Sequence, residues 1–188
     1  LTLLLIEALG LEPTREEAEL LFFGLCTDTG FFRHIDYGGE LTFDIASRLI
    51  HFGASPKRTF QKINGGKSLD SRILLGLILS RTEAYFGGKL LVSYENLEDT
   101  ERFGLQGRDS DMLYQLLLSV AGVEAVAIIR QESPTSCTVG LRSIDTVDVS
   151  VIAVQFGGGG HKQASGFTAP ETIGPLKEKL IRAFAELL

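Results

Sequence analysis

The sequence predicts an α/β protein in two parts, a nearly all-helical stretch over residues 1–87 and a small α/β domain with a mixed sheet over residues 88–188. Three observations carry that prediction. Apolar residues recur at helical spacing between capping signals as far as the paired glycines Gly87-Gly88. Beyond them the pattern changes to short β-rich runs around one helix. Four consecutive glycines, Gly157, Gly158, Gly159 and Gly160, then stand between apolar segments without the serine-rich or charged padding of a linker.

Residues 1–9 read as an amphipathic helix. Thr14, with Glu17 three residues later, is a capping box that opens a helix to about Leu25, after which the chain turns through Cys26-Thr27-Asp28-Thr29-Gly30. Residues 42–52 put Phe43, Ala46, Leu49 and Ile50 at helical spacing, and Gly53 ends that helix. Ser55-Pro56 starts a short helix to about Asn64, with proline in the first turn, where its missing N–H costs nothing. Residues 68–86 read as one long connecting helix closed by Gly87-Gly88. Thereafter residues 89–95 are a strand, 110–120 a helix capped by Ser110 or Asp111, and 123–130 and 135–142 two strands around a polar turn. Residues 148–156 can be helical, 164–168 a last strand, and 173–188 an amphipathic closing helix.

A chain of 188 residues, 44% hydrophobic and 22% charged, can bury a substantial core. Its net charge of −6 argues against coating duplex DNA by charge alone, which needs a broad Lys/Arg surface. The second part carries 9 Lys+Arg against 13 Asp+Glu, which disfavours a long basic track for single strands. Cys26 and Cys137 lie far apart without metal-ligand spacing, so neither a zinc site nor a disulfide framework is expected, and a cytoplasmic setting fits best. No apolar run approaches the ~20 residues of a membrane span. The first residue is Leu1 and the only methionine is Met112, so an amino-terminally shortened chain is expected.

Three stretches could carry chemistry. In Thr27-Asp28-Thr29-Gly30-Phe31-Phe32-Arg33, the carboxylate of Asp28 could bind a hard divalent cation, although Thr-Asp-Thr-Gly is also a good turn or cap. In Gly140-Leu141-Arg142-Ser143, Arg142 at a strand end could fork onto a phosphate, although a solvated strand-end arginine is the ordinary reading. In the glycine run, successive bare N–H groups could form a concave anion site flanked by His161 and Lys162. Neither GxxxxGK[ST] nor a strand-first GxGxxG is present, so the familiar phosphate loops do not match.

Residues 157–167, GGGGHKQASGF, resemble the GGGGHxxAAGF signature of the DHHA1 domain, and residues 27–33 resemble the TDTGxFR segment of the DHH phosphoesterases. The two occur in the family's order. Their length, with GLRS followed by VDVS, is most similar to the short oligoribonuclease and 3′-phosphoadenosine-5′-phosphate phosphatase type. Ser165 departs from the usual alanine. The resemblance implies that residues 1–87 are the helical carboxy-terminal remnant of a DHH domain plus a connecting helix, and residues 88–188 a DHHA1 substrate-binding domain. It implies a hydrolase in which Asp28 is a catalytic ligand of a two-manganese site. Arg142, Ser143, Gly157, Gly158, Gly159, Gly160 and His161 would hold short oligonucleotides or nucleotide phosphates. The DxD and Asp-His-His motifs that supply most metal ligands would lie upstream of Leu1, leaving the fragment alone inactive. A noncatalytic nucleotide or nucleic-acid binding module is the alternative, and a homodimer is left open.

Overall fold

The structure is a computed structural model describing residues 2–144 and 147–188. The chain divides into two compact units, Leu1–Lys67 and Ser68–Leu188. In the first, α1 (Thr2–Ala8) is followed by α2 (Arg15–Asp28), α3 (Glu40–His51) and α4 (Pro56–Asn64). Leu1, expected in the first helix, lies outside the described residues. The capping box forms, with the Glu17 N–H donating to Thr14 Oγ1 at 3.3 Å and the Thr14 N–H to Glu17 Oε2 at 2.8 Å. α2 continues past Leu25, so Asp28 occupies its last turn rather than the turn that follows. Ala18, Phe22 and Cys26, four residues apart, form one buried stripe against Leu3, Ala46, Leu49 and Ala54. α3 ends as its glycine foretells: Gly53 takes φ +102°, and the N–H groups of Gly53 and Ala54 close onto the carbonyls of Ile50 and Leu49 at 3.0 Å.

The second unit begins with α5 (Leu69–Ser80), capped by Ser68. The long helix expected over residues 68–86 stops here. Glu83–Tyr85 instead form β1, antiparallel to β2 (Leu90–Glu95), and Phe86, Gly87 and Gly88, all at positive φ, turn the chain between them. Helical periodicity cannot register that pairing, which satisfies the backbone of residues 83–85 and seats Tyr85 and Phe86 on the sheet core. Leu74 and Ile78 of α5 pack on the same sheet, so the division between units falls ahead of this helix.

There follow α6 (Leu97–Phe103), α7 (Ser110–Leu118), β3 (Ala125–Ser133), β4 (Ser136–Ser143), α8 (Ser150–Gln155), β5 (Gly159–His161), β6 (Ala164–Ala169) and α9 (Ile173–Phe184). The strand order is β1-β2-β3-β4-β6-β5, with β2 and β3 parallel and every other pair antiparallel. A parallel pair needs a crossover, and α6 and α7 supply it. Alternate strand residues feed two cores. Val92, Ile129, Leu141 and Phe167 meet Ile152 of α8 and Leu176, Leu180 and Phe184 of α9. Leu91, Val126 and Ile128 meet Leu74 of α5 and Leu113, Tyr114 and Leu117 of α7. The fully buried Leu176, Leu180 and Phe184 each contribute about 1.5–3 kcal/mol relative to exposure.

The glycine run is ordered structure. α8 ends in a Schellman turn in which Gly157, at φ +76°, donates to the Val154 carbonyl at 3.0 Å and Gly158 to the Ala153 carbonyl at 2.8 Å. Gly159 and Gly160 then enter β5, which pairs with β6. A Cβ on Gly158 would stand 2.2 Å from the Gly166 carbonyl oxygen and 2.4 Å from Phe167 Cβ, whereas one on Gly159 would meet nothing within 4 Å. Gly158→Ala should therefore cost about 1–3 kcal/mol of unfolding free energy in urea titration. Gly159→Ala should be neutral or stabilise by up to about 1 kcal/mol.

Candidate functional site

Strand geometry gathers the predicted residues of the second unit on one face. Cys137, Val139, Leu141 and Ser143 of β4 are buried, so the intervening Thr138, Gly140 and Arg142 project from the opposite side. Arg142 pairs with Ala164 of β6, which pairs with His161 of β5, while Gly140, Gly166 and Gly159 make the neighbouring row. Paired residues share a face. Two strand spacings, roughly 10 Å, separate the backbones of Arg142 and His161, and the glycine row adds no side chain of its own beside them, the Tyr114 hydroxyl lying over Gly140. His161 and Gly159 are exposed, while Arg142, Ala164, Gly140 and Gly166 are half-buried.

The individual groups divide the work. The guanidinium of Arg142 lies over the Tyr114 ring, 4.8 Å from its centroid, with Nη1 donating to the carbonyl of its own neighbour Leu141 at 2.9 Å. Ser143 turns inward and its hydroxyl donates to the Val147 carbonyl at 2.6 Å, so that group braces the segment leading to α8. The amides of Gly157 and Gly158 close α8, so a cradle of four free glycine N–H groups does not form. The run makes a hairpin that presents His161, with β5 as the sheet's edge strand. The hairpin tip is tied down, since the Ser143 N–H donates to the Gln163 carbonyl at 3.1 Å and the Val149 N–H to the Lys162 carbonyl at 2.8 Å. Ser165, the departure from alanine, is buried and donates to the Val149 carbonyl at 2.9 Å.

On the same side of the sheet, toward the other end of β4, lies an ion-pair network that residue spacing did not reveal. Glu95 is fully buried and accepts from Arg108 Nε at 2.9 and 3.0 Å, from Arg130 Nε at 3.2 Å and from the Thr100 hydroxyl at 3.0 Å. Arg108 also forks onto both oxygens of Glu132 at 3.0 and 3.1 Å, and Glu132 accepts from the Thr138 hydroxyl at 2.9 Å. Burial would lower the pKa of Arg108, but the bonds to Glu95 and Glu132 raise it above the usual arginine value. The available signal was Arg130 itself. Two residues beyond Ile128, it lies on a face otherwise filled by Val126 and Ile128, where a cation needs a buried partner.

Asp28 lies in the first unit, exposed at the carboxy end of α2, whose last turn carries no basic residue. A helix carboxy terminus disfavours a carboxylate by about 0.3–1 kcal/mol, so the position is electrostatically poor unless a cation meets it. Backbone strain follows close behind: after Gly30, which takes φ 55° freely, Phe31 and Phe32 stand at φ 57° and 71°. Stacking of Phe32 on Phe43 and an edge contact of Phe31 with Phe60 oppose that strain. Asp28 borders a cavity of about 340 Å³ lined mainly by leucine and isoleucine. Among the described residues no three His, Cys, Asp or Glu side chains converge, so these residues by themselves do not fit a pair of manganese ions.

A mixed six-stranded sheet bearing arginine, histidine and a glycine floor on one open face defines the class, an α/β domain with a surface suited to anionic ligands. Residues 87–188 match the DHHA1 domain, and the chain belongs to that family. It is 33% identical over 164 residues to the bifunctional oligoribonuclease and PAP phosphatase NrnA of Thermus thermophilus, covering 87% of this chain and 48% of that protein. It is 30% identical over 193 residues to the cyclic-di-AMP phosphodiesterase GdpP of Bacillus subtilis, covering 96% of this chain and 28% of that protein. An exopolyphosphatase-related protein of Bacteroides fragilis shares the fold at TM-score 0.79 and 24% identity, over 92% of this chain and 52% of that one. The chain thus spans about half or less of the curated relatives named here, and these include phosphodiesterases and a phosphatase. No helix among the described residues is long and apolar enough to cross a membrane.

Burial alone would raise the Glu132 carboxyl, but hydrogen bonds from Arg108 and Thr138 outweigh it and hold the pKa below its ordinary 4.5. A depressed carboxylate stabilises the fold fully above that value and ceases to do so as pH falls through the lower folded one. Urea midpoints of Glu132→Gln measured against pH should accordingly fall less steeply below pH 4.5 than those of the parent.

Proposed function

We propose that this chain binds the nucleotide end of short oligonucleotides or nucleotide phosphates on the face built by Arg142 and His161, as part of a metal-dependent phosphoesterase. The row Arg142, Ala164, His161 beside the row Gly140, Gly166, Gly159 carries the reading. A permanently charged fork can give a phosphate two parallel N–H bonds, and a histidine stands across a row of glycine backbone. A ligand held there would be positioned for cleavage of its next phosphodiester, a contribution made through orientation rather than bond making. The oligoribonuclease and PAP phosphatase relative supports the same substrate class.

Asp28 would contribute one carboxylate to the metal site, its place against the α2 dipole being consistent with a cation partner. The remaining ligands would come from outside this chain, and manganese is the metal the family resemblance implies. A second reading, a noncatalytic nucleotide or nucleic-acid binding module, draws on the same face. Guanidinium, imidazole and bare backbone can all hold a phosphate without cleaving it.

Arg142→Ala should weaken binding of a 5′-phosphorylated trinucleotide, measured by fluorescence anisotropy, and reduce the slope of log K against log salt by about one. His161→Ala should weaken the same binding without so large a change in slope; unaltered affinity in both would remove the face from substrate recognition. In the protein that contains this chain together with the rest of its sequence, Asp28→Asn should suppress hydrolysis while leaving trinucleotide affinity within about twofold. A parent that binds and never cleaves would favour the noncatalytic module.

A further inference from the structure

Tyr114 reaches from α7 to β4, and its hydroxyl ends over Gly140: a Cβ on that glycine would stand 2.2 Å from the phenolic oxygen. The residue is 6% exposed, and its hydroxyl has no acceptor for its proton among the described residues, the Arg130 guanidinium beside it being a donor. Its charged neighbours are Arg130, whose Nη1 would be 3.9 Å from that same Cβ, and Arg142, whose guanidinium covers the ring. Both are donors only, so neither can accept the phenolic proton. A buried hydroxyl in this condition is costly, and phenylalanine would fill the same volume without it. Burial raises the Tyr114 pKa above 10 although Arg130 and Arg142 pull it down, so the group is a protonated donor at neutral pH.

We propose that the Tyr114 hydroxyl is a further ligand-binding donor of the Arg142 face, held without an acceptor until a phosphoryl oxygen of the substrate arrives over Gly140. This rests on the reading of that face as the nucleotide-phosphate site. The side chain of Arg142 is poised to admit such an oxygen, since its own hydrogen bond is to the adjacent Leu141 carbonyl and it can turn from the ring to the anion. Gly140 is the enabling residue, because any side chain there would occupy the position of the hydroxyl. The donor set is then one hydroxyl between two guanidinium groups, which selects an anionic oxygen over a neutral carbonyl or ribose hydroxyl.

The test compares Tyr114→Phe, Arg142→Ala and the parent for affinity toward a 5′-phosphorylated trinucleotide and the same trinucleotide without the phosphate, across a salt series. Tyr114→Phe should bind the phosphorylated ligand about three- to tenfold more weakly, with an unchanged salt slope because a neutral donor releases no counterion. It should leave the unphosphorylated ligand unaffected and keep or raise the urea midpoint, whereas a merely structural tyrosine would lower the midpoint and spare affinity. Parental affinity in Tyr114→Phe, beside weakened binding in Arg142→Ala, overturns the role of the hydroxyl and keeps the face. Parental affinity in both overturns the face and this inference with it.

Discussion

The open face exists because three backbones approach more closely than any side chain allows. A Cβ on Gly158 would collide with the Gly166 carbonyl and Phe167, one on Gly160 with the Ala164 carbonyl and Ser165, and one on Gly166 with the Val139 carbonyl. These contacts press the hairpin onto β6 and β6 onto β4, and they fix the register that sets His161 and Arg142 in one row. Several polar groups near the hairpin tip serve the same constraint. Ser143, Ser165 and the Val149 amide tie the turn to the segment before α8. The glycines therefore act chiefly as spacers that position a histidine, and only secondarily as exposed backbone.

A second requirement is rigidity beneath Arg142 and Tyr114. The sheet meets it with charge as well as with apolar packing. Glu95, buried between Arg108 and Arg130, is stabilised only because its oxygens are occupied by cationic donors and a threonine. Through Glu132 and Thr138 the same network reaches β4, so the strand that carries Arg142 is anchored from the side opposite the α8–α9 core. Arg81 does similar service nearby, pairing with the Asp99 carboxylate that also caps α6.

The sequence made the local signals plain and the distant ones obscure. Thr14 with Glu17, Ser55 with Pro56, and Gly53 all act where their chemistry says they should, because each bonds within four residues. The two strands around the polar turn at residues 134–135 are equally legible as β-rich runs. Residues 83–85 continue an apolar helical pattern, and only their hairpin pairing with β2 makes them a strand. Asn96 with Asp99 is a capping box of the same local kind. The row joining Arg142 to His161 depended on register across three strands, and the Glu95 network on pairs 13 and 35 residues apart, neither of which periodicity encodes. Family motifs single out residues without saying which of their atoms are already engaged, as the inward-turned Ser143 hydroxyl and the helix-closing amides of Gly157 and Gly158 are.

The chain contains no tryptophan and four tyrosines, of which Tyr37 is fully exposed, Tyr85 and Tyr94 are partly covered, and Tyr114 is enclosed. Its near-ultraviolet optical activity must come from phenylalanine and tyrosine alone, and the tyrosine held most asymmetrically is the one beneath Arg142. The dichroism of that ring near 280 nm is therefore tied to the placement of the Arg142 guanidinium over it.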